Sequence, residues 1–409
     1  MKIRILVIAT LLLLTSCEKG ETDDTILKFF SKAYKDSGNS IAVAKESEGK
    51  DMYYFICGQL TDTLANSAPG RAGVIKAGPD GNMIGSPAIL GNTAGSASRI
   101  IILGNGDIVC TGYVLNTASE KDLFVWHLSS GLAEIAYRVY NSAGNQYGVD
   151  IIETEEGFLV LGTTDVKREP ATEVTGNAAG KKDILLMRVN RDLQPFASIP
   201  AVGYIGNDEG VAIKKDLSGG YIVVGTTDRS DRPASEQAGT NIIILRVNAD
   251  GSTTQPRILG GTLSEAASDF EVLNDGYLIA GTTGNPGTTQ QGYIWKMPVD
   301  IYASPVFEHA IDIDPSSSVK TTFSVRAMCR YKTNSFLLAG QYGTGLSARL
   351  LVFSVDAFGV PVEGRKKITG GSGTQIANDV ISGDSDNIIT VGTNSYESNS
   401  MICFLKFRF

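Results

Sequence analysis

Histidine and tryptophan are nearly missing from this 409-residue chain, with two of each. His127 and His309 stand in distant segments, so no imidazole-based metal site can be read from a local motif. The five cysteines, Cys17, Cys57, Cys110, Cys329 and Cys403, form no Cys-x-x-Cys pair, which removes zinc-ribbon and thioredoxin-type readings. Neither a Gly-x-Ser-x-Gly elbow nor a His-Glu-x-x-His pair occurs. The Asp- and Asn-containing turns at 383–387 and 248–251 lack the ligand number and spacing of an EF-hand. They fall where hairpin turns are needed. No metal and no cofactor is therefore expected. Positive charge is short as well: 36 Lys and Arg stand against 44 Asp and Glu, for a net charge of −8. Such a surface repels phosphate backbones, so nucleic acid is not an expected partner. Beyond the first residues no run of eighteen apolar positions exists, and no segment carries helical periodicity.

What is present begins with a leader. Lys2 and Arg4 form a short positive region, and Ile5 to Leu14 is an apolar run too short to span a bilayer. The run ends in Leu14-Thr15-Ser16-Cys17. This resembles a bacterial lipobox, which implies lipidation of Cys17, removal of residues 1–16 and attachment to a membrane through acyl chains. Residues 17–24, CEKGETDD, are acidic and without apolar period, and read as a flexible tether. An acidic stretch after such a cysteine resembles the surface-export signal of Bacteroidota lipoproteins. The expected location is the outer membrane or cell surface.

The rest of the chain repeats itself. GFLVLGTT at 157–164, GYIVVGTT at 220–227 and GYLIAGTT at 276–283 share one pattern, with looser copies elsewhere. The glycine before Thr-Thr recurs as Gly58, Gly112, Gly162, Gly225, Gly281, Gly340 and Gly392, about 56 residues apart on average. Each unit reads as four short strands rich in Val, Ile and Leu, separated by Gly, Asn and Asp turns. Seven such units fit an all-β, seven-bladed β-propeller of four-stranded antiparallel blades, occupying residues 25–409 as a single domain. The seventh unit, ending in MICFLKFRF, lacks a fourth strand. Residues 25–34 read as a spare strand and are expected to complete it, closing the ring without an open edge.

Aligned columns decide many residues. Tyr54, Ile108, Phe158, Tyr221, Tyr277, Phe336 and Ile388 share one apolar column, suited to packing between blades. Cys57, Cys110 and Cys403 fall in hydrophobic columns and read as buried thiols. Trp126 and Trp295 fall in a core column too. Lys76, His127, Arg188, Arg246, Lys296 and Lys406 share a third-strand position and are expected to cover apolar surface with their charged ends wet.

The pattern of Gly-Tyr, apolar residues and Gly-Thr-Thr, then Asp-Ile-Leu-Leu-x-Arg-Val-Asn, resembles the repeat propellers of Bacteroidota-type surface lipoproteins. That resemblance implies a fold and leaves function open. The chain has no repeated Trp-Asp pair, no sialidase Asp box and no tryptophan-docking motif of quinone enzymes.

Propeller topology places the loops between second and third strands, and between one unit and the next, on one face. The longest, at 61–71, 165–182 and 228–240, belong to it. Candidate ligand contacts there are Asn145, Gln146, Tyr147, Asn207, Asp208, Glu209, Ser264 and Glu265. First strands line a central channel, which adds Asp150, Asp269, Arg326 and Asp379. The reading favoured by these features is a lipid-anchored protein that binds a glycan, a peptide or a protein partner. A propeller glycoside hydrolase or polysaccharide lyase is the alternative, with catalytic carboxylates converging near the channel. A structural partner in an envelope complex is the third.

Overall fold

The computed structural model describes residues 25–31, 35–61, 69–141, 143–165, 182–196, 201–204, 206–229, 239–261, 263–284, 289–317, 321–371, 373–397 and 399–409. The leader, the tether and most of the three long loops lie outside them. Within them the chain forms seven antiparallel sheets, six with four strands and one with three. Six of the sheets run outward in chain order, from an inner strand such as Glu265–Leu273 to an outer strand such as Phe307–Ala310, and the last takes its outer strand from the start of the chain. We number these sheets as blades 1 to 7 from the N-terminus, beginning with the sheet whose inner strand is Ser37–Lys45.

Ring closure follows the sequence expectation. Ile26–Phe30 pairs antiparallel with the last strand, from Ile26 opposite Lys406 to Phe30 opposite Ile402. The outer strand of blade 7 therefore comes from the segment that precedes blade 1. Seven buried apolar clusters hold the blades, and each spans one junction between neighbours. The junction of blade 7 with blade 1 packs Ile389, Val391 and Phe404 against Tyr54, Ile56 and Ile75. Trp126 and Trp295 are buried in two of these clusters, and Cys57, Cys110 and Cys403 are buried free thiols.

Two features differ from the sequence reading. In blade 3 the fourth-strand position carries only the isolated bridges Ile184–Val202 and Val189–Pro195 among the described residues. Residues 197–200 of this segment lie outside the described residues. In the basic third-strand column, Lys296 and Lys406 are buried rather than wet. Lys296 pairs with Asp275, and Lys406 donates to the Pro79 carbonyl at 3.1 Å across the closing junction.

The repeated glycine has a steric cause. Every inner strand bulges near its start, as between Gly148 and Asp150 or Ala267 and Asp269. The marker glycine of the second strand lies opposite that bulge. A Cβ on Gly58, Gly112, Gly162, Gly225, Gly281, Gly340 or Gly392 would sit closer than 3.0 Å to the carbonyl oxygen two residues before the bulged one. Only glycine lets the two backbones approach this closely.

Candidate functional site

A bulge leaves one residue out of the ladder and re-aims its side chain. The seven displaced residues are Asn39, Ser98, Val149, Val211, Ser268, Arg326 and Asn378. Five of them, Asn39, Val211, Ser268, Arg326 and Asn378, line an open depression of about 440 Å³ at the centre of the ring. Thr282 and Ser324 complete its polar wall. The bulges lie at the starts of the inner strands, so this mouth opens on the face that carries the long loops.

Three of the polar bulge residues spend donors on the next blade. Asn39 Nδ2 donates to the Ala97 carbonyl at 2.7 Å, Asn378 Nδ2 to the Gly38 carbonyl at 2.8 Å, and Ser268 Oγ to the Val325 carbonyl at 2.6 Å. Arg326 holds the same position in blade 6, yet it makes no hydrogen bond or ion pair among the described residues. Its side chain is exposed, but the surrounding rim is dense enough for desolvation to lower the guanidinium pKa, and no carboxylate opposes that shift.

One position further along, the inner strands carry Ser40, Arg99, Asp150, Ala212, Asp269, Ala327 and Asp379. The three aspartates are buried and act as clamps between blades. Each accepts the N–H of its own successor and one from the next blade: Asp150 from Ile213 at 3.0 Å, Asp269 from Met328 at 3.1 Å, Asp379 from Ile41 at 3.0 Å. Ser40 Oγ adds a bond to Asp379 at 2.8 Å. Aspartate on blades 3, 5 and 7 thus alternates with a small residue on the blade between, and an odd ring cannot finish the alternation. Arg99 fills the defect on blade 2, with Nε 3.2 Å from Asp150 and Nη1 3.4 Å from Asp379. A level below, Lys214 lies 3.3 Å from Asp269 and 2.8 Å from Glu271. Burial opposes the charge on Arg99 and on Lys214, but the facing carboxylates outweigh it and raise both pKa values. Burial raises Asp150 in turn, with Arg99 acting against it. The carboxylates do converge in the channel, beneath the mouth, with their oxygens committed to the fold.

The outer candidates divide into two kinds. Asn145 and Asn207 fasten loops. Asn145 Nδ2 donates to Asp165 at 2.8 Å, and its Oδ1 accepts the Lys121 N–H at 3.0 Å. Asn207 repeats this with Asp228 at 2.6 Å and the Lys182 N–H at 3.4 Å. Ser264 takes the third copy, accepting from the Thr240 N–H at 3.1 Å. Gln146, Asp208 and Glu265 are buried at the blade junctions. Asp208 accepts the Tyr204 N–H at 2.7 Å, and Glu265 the Gly261 N–H at 3.3 Å.

Tyr147 and Glu209, in contrast, face the mouth's rim, in register with the lining residues Ala266 and Ser324. Lys182 is ion-paired with Glu209, and Lys121 Nζ sits between two rings, 4.5 Å from the centroid of Tyr113 and 4.8 Å from that of Tyr147. Lys121 has no carboxylate partner among the described residues. Sequence reasoning missed Tyr113 and Lys121, as well as Asn39, Ser268 and Asn378. The displaced register of the bulge was the signal that would have found the last three.

No known family profile matches the chain, and no curated protein matches it. Solved structures do. The crystal structure of the polysaccharide lyase Uly1 superposes with a TM-score of 0.51 at 8% identity, over 93% of this chain and 91% of that one. An ulvan lyase described as a new family of polysaccharide lyase gives 0.50 at 11% identity, over 86% and 82%. At such identities the likeness concerns the propeller fold alone.

Proposed function

We propose that this protein is a lipid-anchored binding protein of the cell envelope, tethered through Cys17, that presents the mouth of its propeller to a glycan. The observation that carries the reading is the chemistry of that mouth. Asn39 and Asn378 have spent their N–H donors, so their side-chain oxygens remain as acceptors beside the hydroxyls of Ser268, Ser324 and Thr282. Acceptors arranged around a shallow opening suit a ligand dense in hydroxyl donors, and the tyrosines at the rim supply faces for sugar rings. Catalysis by channel carboxylates is less well supported, because Asp150, Asp269 and Asp379 are already bound by backbone donors and cations.

Glycan-array binding by the chain from Thr25 onward tests the reading: selective binding lost in Asn378→Leu supports it, and an array without signal rejects it. Labelling with a palmitate analogue tests the anchor, since Cys17→Ser should abolish both label and membrane retention.

A second reading has its own observation. Val306 and Phe358 are 63% and 68% exposed on the opposite face, where Phe307 and Phe358 approach to 6.3 Å between blades 5 and 6. This apolar ground, beside a groove of about 740 Å³, suits a protein partner in an envelope assembly.

A further inference from the structure

We infer that the ligand of this face is an acidic polysaccharide, bearing carboxylate or sulfate groups, and that Arg326 and Lys121 are the residues that select it. This rests on the glycan-binding reading above and goes beyond it by naming the charge. Among the described residues, Arg326 in the mouth and Lys121 at the rim carry cations with no carboxylate partner. Both lie on one face of a protein with a net charge of −8. Arg99, Lys182 and Lys214 on the same axis or rim are all paired with acids.

Arg326 stands at the position where blades 1, 5 and 7 carry an Asn or Ser that clasps the next blade and blades 3 and 4 carry a valine. Its bulge position demands no cation, and its five N–H donors are left for something outside the fold. No carboxylate acts on the titration of Arg326, so the channel aspartates below do not neutralise it. Lys121 is presented by two aromatic rings from adjacent blades, an arrangement that holds an ammonium in place without cancelling its charge.

The mouth offers side-chain oxygens and one guanidinium. A uronate or sulfated sugar brings hydroxyls to the oxygens and an anion to the arginine. A charge-assisted bidentate contact is lost when Arg becomes Gln, which weakens binding by about ten- to a hundred-fold.

Affinity electrophoresis of the chain from Thr25 onward decides the matter. The gels contain polygalacturonate, its neutral methyl ester, dextran, dextran sulfate or poly-L-glutamate. The proposal expects retardation by polygalacturonate or dextran sulfate and none by their neutral counterparts. The polymer that retards identifies the anionic group. Arg326→Gln and Lys121→Met should each weaken that retardation about ten-fold or more, while Lys215→Gln, which removes a cation at the opposite end of an inner strand, should leave it unchanged. Equal loss in the Lys215 variant would reduce the effect to net charge and overturn the inference. Binding to the neutral polymers alone would overturn it while leaving the glycan reading intact. Retardation by poly-L-glutamate alone would reject both.

Discussion

Replacing Asp208 by asparagine should make this protein more stable at neutral pH and leave it unchanged in acid. Asp183 of blade 3 and Asp208 of blade 4 are 1% and 0% exposed, and both carboxyl groups abut Gly203. Burial pushes the Asp208 pKa up to about 6, with Asp228 adding to the rise and Thr227 and the Tyr204 N–H opposing it. The unfolded value is about 3.9. The folded state therefore holds the proton more tightly, so this group's contribution to stability is intact below about pH 4 and declines as pH rises toward 6. Two pKa units correspond to about 3 kcal/mol lost by pH 7. An amide carries no such penalty. The molecule already uses one at the neighbouring junctions, where Asn241 faces Glu265 against Gly260 and Gln146 is buried beside blade 2. The amide introduced by Asp208→Asn keeps an oxygen for the Tyr204 N–H and gains an N–H for its surroundings. Urea unfolding followed by the fluorescence of Trp126 and Trp295 at about pH 4, 5.5 and 7.5 should show the curves of variant and wild type coincide at the lowest pH. They should separate by about 2–3 kcal/mol at the highest, in favour of the variant. A variant that is equally stable or weaker at the highest pH, or a gap independent of pH, would refute the electrostatic reasoning.

Other expectations concern the ring itself. Gly225→Ala places a Cβ against the Glu209 carbonyl and should cost several kcal/mol or prevent soluble expression, whereas alanine at the exposed turn glycine Gly104, where nothing lies within 4 Å, should be near neutral in the same denaturation assay. Asp379→Ala strips acceptors from Ile41, Ser40 and Arg99 at the closing junction, and a loss of about 3–5 kcal/mol in urea unfolding is expected. Removing residues 25–31 opens the outer edge of the last strand from Ile402 to Lys406, and limited proteolysis should then cut blade 7 first. Ellman's reagent at about pH 8 should find the buried thiols silent until urea is added, since burial pushes Cys403 up to about 12 and raises Cys57 and Cys110 as well.

Much of this architecture was legible because a propeller writes its sheets one after another. The seven blades, the pairing of Ile26–Phe30 with the chain's end and the buried cysteine columns all follow from local pattern and register. The site was less legible. Asp150, Asp269 and Asp379 were placed correctly on the inner strands, but nothing local told that each would be claimed by a backbone N–H from the following blade. Arg326 shares the inner-strand, channel-lining expectation with those aspartates, but it stands one residue earlier in register, on the bulge rather than after it. That one-residue offset turns the side chain from the clamp to the opening, and in the sequence it shows only as a one-residue break in the alternation of the inner strand. Tyr113 and Lys121 meet Tyr147 only across a blade junction, a proximity that spacing along the chain does not encode.

The seven glycines opposite the bulges have a consequence for how such a protein changes over time. Each frees one neighbouring side chain from the ladder, so the opening at the axis is surrounded by positions that accept side chains of different size and charge. Asn, Ser, Val and Arg already occupy them in one molecule. A chain built this way can acquire new selectivity through a handful of substitutions around a fixed aperture, with its hydrophobic junctions left alone.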